Sequence, residues 1–139
     1  MFRIIEPEVA GGFGSDTKMD GTQHPPIIEQ LHFEFEGWLN DDILETYPCF
    51  LVTERLRAQI EIEKLSGILF DSVQVTKSDN FKEMYPGRQL PKFYWAKITG
   101  DFAQSDFFLV SDGRLAVSDK AYRLLCRFNI RHADIEEMH

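Results

Sequence analysis

Polar and apolar positions alternate most regularly at "LHFEFEGW", where Leu31, Phe33 and Phe35 fall on one side and His32, Glu34 and Glu36 on the other. A period of two predicts a half-buried strand. Apolar, β-prone runs at "FRIIE", "CFLV", "ILFDSVQV" and "FYWAKI" predict further strands. "DFFLVSDGRLAV" reads as a hairpin turning at its Asp-Gly pair. Two helices follow from their caps. Thr53 precedes "ERLRAQIEIEKLS", which closes at Gly67, and Ser118 precedes a helix whose Ala121, Leu124, Leu125 and Phe128 fall at i, i+3, i+4 and i+7. Asn129 ends this second helix, and "IRHADIEEM" predicts a last strand burying Ile130, Ala133 and Ile135. Asn40 is expected to cap a short helical turn that Pro48 ends, and "NFKEM" a further turn of helix. Residues 9–26 are polar, rich in glycine and closed by proline, which predicts a flexible loop. Its "GGFG" lacks the glycine spacing of a phosphate-binding loop.

The chain repeats itself. A shift of 65 positions sets Val52 on Val117, Thr53 on Ser118, Glu54 on Asp119, Arg55 on Lys120, Ile60 on Leu125 and Leu65 on Ile130. Units at about 48–76 and 107–137 each read as strand, capped helix and return strand, and neither buries its apolar face alone. The expected fold is α+β: one domain over 1–139, a single mixed sheet with two principal helices, built from this approximate strand-helix-strand repeat.

The composition fits a folded chain. At 139 residues, folding buries roughly 68% of the surface that the unfolded chain exposes. A hydrophobic content of 43%, with twelve Phe, outweighs a net charge of -8 as a determinant of order. No apolar run approaches the roughly 20 residues of a membrane span, and "MFRIIEPEVAGG" lacks a secretion-signal pattern, so the expected location is cytoplasmic, without membrane contact. Cys49 and Cys126 lie beside apolar residues and outside any ligand motif, and are expected to be buried and reduced.

Charge is unevenly laid out. Between Glu29 and Glu63 nine acids face only Arg55 and Arg57, a net of -7 that disfavours nucleic acid and attracts a basic partner. The opposite sign gathers at Arg114, Lys120, Arg123, Arg127 and Arg131. His32, Glu34 and Glu36 could approach a metal only with a further ligand, so the row is read as the wet face of a sheet, and no metal or cofactor is assigned. Cys49, Cys126 and Ser118 are explained as core and cap, and the Asp41–Asp42 pair by a helix dipole, so no catalytic residue is assigned. An aromatic pocket around Tyr94, Trp95 and Phe107 is the competing small-ligand or scaffold reading.

The segments "CFLVTERLRAQIEIEKLSGILFDSVQV", "KFYWAKI" and "DFFLV...LAVSDKAYRLLCRFNIRHADIEEM" resemble bacterial immunity proteins of polymorphic toxin systems, over about Trp38 to Met138. The resemblance implies a cytoplasmic, non-enzymatic protein that binds and neutralises a cognate toxin, and it transfers no binding residues. An acidic surface suits a toxin with a basic, nucleic-acid-targeting cleft. On that mode Glu34, Glu36, Asp41, Asp42 and Glu45 form the contact rim, with Trp38 as aromatic anchor.

Overall fold

Every residue of the strand Cys49–Thr53 is buried, as a near-continuous apolar run requires of a strand covered on both faces. The structure, a computed structural model, describes residues 1–138. In chain order the first strands are β1 (Phe2–Glu6), β2 (Gly11–Phe13), β3 (Lys18–Asp20), β4 (Ile27–Gln30), β5 (His32–Phe35), β6 (Ile43–Thr46) and β7 (Cys49–Thr53). Then come α1 (Glu54–Ile62), β8 (Ile68–Asp71), β9 (Gln74–Lys77), α2 (Asp79–Met84) and β10 (Phe93–Ile98). The chain ends with β11 (Phe107–Leu109), β12 (Leu115–Ser118), α3 (Asp119–Leu125) and β13 (Asp134–Glu137).

The class is α+β, but the single mixed sheet with two principal helices is not what forms. Among the described residues, four separate sheets and three helices take its place: sheet A in the order β11-β12-β1-β13, sheet B as β6-β7-β10-β8, sheet C as β2-β5-β9, and the pair β3-β4. The physical reason is insertion. β10 lies antiparallel between β7 and β8, and β1 lies antiparallel between β12 and β13, so each strand-helix-strand segment is split and closes a sheet of its own. Sheets A and B therefore share one topology, a hairpin strand followed by a split β-α-β unit.

Sheet B is the central layer. One of its faces, through Phe50, Val52 and Ala96, packs with α1, α3 and the inner face of sheet A, including Ile5, Leu115 and Val117. The other, through Cys49, Leu51, Phe93 and Trp95, packs with Leu31, Phe33 and Phe35 of sheet C and its approach, and with Phe81 of α2. Several local expectations change. The segment read as a loop over residues 9–26 contains β2 and β3, and the helical turn expected after Asn40 is the strand β6, which pairs with β7. β13 is exposed throughout, with Ile135 at a sheet margin and only Ile130 and Ala133 partly covered, because the strand is an edge.

Two aspartates tie the halves together by crossed contacts. Asp42 accepts from the Thr53 hydroxyl at 2.6 Å, and its carbonyl accepts from the Thr53 N–H at 3.0 Å. Asp106 does the same for Ser118, at 2.6 Å and 2.9 Å. Each aspartate also holds the loop that follows the other unit's helix. The Asn129 N–H donates to the Asp42 carboxylate at 2.8 Å, and the Ser66 N–H to that of Asp106 at 2.9 Å. Thr53 sits at the N-cap position of α1 and its hydroxyl donates to Asp42 without accepting a capping bond, whereas Ser118 both donates to Asp106 and accepts from the Ala121 N–H.

Burial pushes the Asp106 carboxyl up, but hydrogen bonds from Ser118 and Ser66 outweigh it and hold the group below its ordinary value of 3.8. A depressed carboxyl stabilises the fold above its unfolded value and loses that contribution as pH falls through the folded one. Asp106→Asn should therefore cost about 1 kcal/mol at pH 7, less than is usual for hydrogen bonds to a charged group because the carboxylate is partly exposed and screened. In urea unfolding the gap between wild type and variant should narrow as pH drops below 3.8; a gap independent of pH would remove the carboxylate from this role.

Candidate functional site

The sequence-predicted contact residues separate into two groups. Pairing of β5 with β2 on one side and β9 on the other places Glu34 beside Gly12 and Thr76, and Glu36 follows on the same face. Ser78, the N-cap of α2, donates to the Glu36 carboxylate at 3.0 Å. Among the described residues no hydrogen bond or ion pair engages the Glu34 carboxylate. A Cβ built on Gly12 meets nothing within 4 Å, so the β2 lane beside the two carboxylates is bare backbone. The result is an acidic trough with a low wall.

Trp38 stands at the end of this trough. Its indole N–H donates to the Asp41 carbonyl at 2.9 Å, its ring packs edge-on against Phe93, and the Arg88 guanidinium lies 5.1 Å from its centroid. It is half-buried and divides two grooves. One of about 550 Å³ is lined by Val9, Gly12, Glu36, Leu39 and Tyr85; the other, about 710 Å³, by Asn40, Arg55, Ala58, Pro91 and Lys92. Val9 and Leu39 are exposed, which gives the smaller groove an apolar lip beside its acid.

The other three residues point elsewhere. Asp41 and Asp42 are buried, and both hold the loop after α3 instead of lining a rim. Burial pushes Asp42 up, but the Arg55 guanidinium, the Thr53 hydroxyl and the Asn129 N–H outweigh it and keep the carboxyl below the usual range. Glu45 is half-buried at the edge of sheet B, where burial and nearby Glu6 raise its carboxyl. The contact rim expected from Glu34, Glu36, Asp41, Asp42 and Glu45 is thus not one continuous surface.

His32 is buried, against its predicted place on a wet face. Its Nδ1 accepts from the Asp16 N–H at 3.0 Å, its Nε2 pairs with the Thr76 hydroxyl at 2.7 Å, and its ring fills the space a side chain at Gly14 would need. Both ring nitrogens being engaged, His32, Glu34 and Glu36 are not a ligand set. The triple that does converge is Glu8, Asp41 and His132, one ligand atom from each lying within 4.8 Å of the others. No local spacing in the sequence could have found it, since three distant connections supply the residues.

The competing aromatic pocket does not assemble. Tyr94 packs on the core face shared with sheet A, Trp95 on the face toward sheet C, and Phe107 is buried in the first of these cores. Neighbours on a strand point to opposite faces, so these residues line no common cavity. Cys126 is exposed at the C-cap of α3, contrary to the buried expectation, while Cys49 is buried and its burial pushes the thiol up to about 12. None of the described helices is long and apolar enough to cross a membrane. No protein-family model matches the chain, and no curated protein sequence matches it.

The two cysteines should differ in chemistry. A thiol-reactive disulfide reagent at neutral pH should label one site per chain, mapped by peptide mass to Cys126, and two after denaturation. Rapid native labelling of Cys49 would show that sheet B opens where the packing closes it.

Proposed function

We propose that the chain is a non-catalytic binding protein that neutralises a cognate protein toxin, holding it by the open face of sheet C. The observation that carries this reading is the acidic trough: Glu34 on β5 and Glu36 just beyond its end, a bare glycine lane beside them, and Trp38 with exposed Leu39 and Val9 at its end. Such a surface suits a partner that offers basic side chains around an apolar anchor. Carboxylates at the rim steer a cationic cleft and repel acidic competitors, and a half-buried tryptophan between grooves is the type of residue that concentrates binding energy. A net charge of -8 adds to the steering at long range. The resemblance to polymorphic-toxin immunity proteins supplies the class of partner, and a nucleic-acid-targeting toxin supplies the basic cleft.

Asp41 and Asp42 drop out of the contact on this reading, because the loop after α3 already covers them. The test is co-expression with the product of the adjacent upstream reading frame, scored for growth rescue and for a co-eluting complex on a sizing column. Rescue with a stoichiometric complex is expected. The double variant Glu34→Lys, Glu36→Lys should fold as wild type yet lose affinity by at least about tenfold, since like-charge juxtaposition costs several kcal/mol. A complex of unchanged affinity would remove sheet C as the contact, and a non-toxic neighbour that forms no complex would remove the immunity reading.

A further inference from the structure

We propose that Glu8, Asp41 and His132 form a binding site for a divalent transition-metal ion, of which Zn²⁺ is the best fit, at the junction of sheets A and B. Glu8 comes from the connection between β1 and β2, Asp41 from the approach to β6, and His132 from the loop between α3 and β13. Two carboxylates and one imidazole are hard-to-borderline ligands of the sort that hold zinc with a remaining position open to water.

The cluster is short of positive charge. Glu8 is 5% exposed and Asp41 0%, and among the described residues neither is paired with a lysine or arginine. The contrast lies one residue away, where equally buried Asp42 is answered by the Arg55 guanidinium. Two buried carboxylates against one imidazole leave negative charge uncompensated, a costly arrangement that a bound cation corrects.

Glu8 also carries an under-satisfied oxygen. Glu8 Oε2 accepts a good hydrogen bond from the Leu39 N–H at 2.8 Å, but Oε1 receives only a 3.4 Å contact from the Asp41 N–H. A nearly fully buried carboxylate oxygen with one long contact retains capacity to ligate. Asp41 has one oxygen that accepts from the His132 backbone N–H at 2.8 Å, and its other oxygen lies 2.9 Å from His132 Nδ1, so carboxylate and imidazole already face each other. Backbone donors on the outer oxygens are what orients a ligating carboxylate. The His132 ring is 41% exposed, which leaves a path for the ion and for a water ligand.

Ligand atoms on a tetrahedral ion at roughly 2.0 to 2.2 Å lie about 3.4 Å apart, so the Asp41 oxygen and His132 Nδ1, now 2.9 Å apart, part slightly while the wider separations, up to 4.8 Å, close through small movements of side chains on loops. The ion would then link the end of β1, the start of β6 and the start of β13.

The test is calorimetric titration of the chelator-stripped protein with ZnCl₂, together with thermal melting. Wild type should take up one equivalent and melt at higher temperature when loaded, and uptake should weaken as pH falls and protons compete for the ligands. Glu8→Gln removes a ligand together with an uncompensated charge, so it should fold and lose affinity by at least about tenfold, and His132→Gln should do the same. His24→Gln, at an exposed histidine outside the cluster, should bind as wild type. Absence of saturable uptake in wild type, or uptake unchanged in both Glu8→Gln and His132→Gln, would overturn the site.

Discussion

Two aspartates on crossed duties hold this fold to one arrangement. Asp42 and Asp106 each stand before the hairpin strand of their own unit, β6 or β11, and each fixes the residue at the start of the helix that follows. With their remaining lone pairs they take the backbone of the loop that leaves the other unit's helix. Neither unit therefore completes its polar contacts without the other, just as neither completes its core. Asp42 is buried and Asp106 half-buried; a carboxylate out of water is tolerated only when its acceptors are filled, and here filling them requires both sheets in register. The shared apolar core supplies the drive to pack, and the crossed aspartates select the geometry.

This arrangement leaves the outer face of the third sheet outside the contacts that join the other two. Sheet C packs its apolar side on the far face of sheet B, so its carboxylate side is outside the constraint that joins A to B. A trough built from Glu34, Glu36 and a glycine lane is held by short strand pairing and by Ser78, and its side chains can change without disturbing either core. On the proposed reading, the contact surface lies on a layer outside the contacts that join the two units, so a change in it leaves the platform in place.

The parts legible in the sequence were those set locally. Thr53 and Ser118 mark the starts of α1 and α3 because the residue before a helix is selected by its own backbone geometry, and the Asp-Gly pair marks the β11–β12 turn for the same reason. Sheet number was not legible, because it depends on β1 and β10 inserting between partners far away in the chain. β6 was hidden behind Asn40, Asp41 and Asp42, which look like the start of a helix; Asn40 instead adopts a positive φ of 78° that turns the chain into a strand. Burial of His32 depends on the backbone around Gly14 and Thr17 folding over it, and alternation along β5 carries no trace of that. Of the contact residues, Glu34, Glu36 and Trp38 follow from period and flank, whereas the burial of Asp41 and Asp42 becomes visible only with the loop after α3 in place.

The central claim is that the two units are one cooperative body because their aspartates cross. Native-state hydrogen exchange of the Ser66 and Asn129 amides tests it most directly. Each donates to the carboxylate of the other unit, so both should be protected and should open with the same free energy as the strand amides of β7 and β12, the signature of a single unfolding event. Opening of either amide at markedly lower free energy, with sheet A exchanging independently of sheet B, would contradict the account.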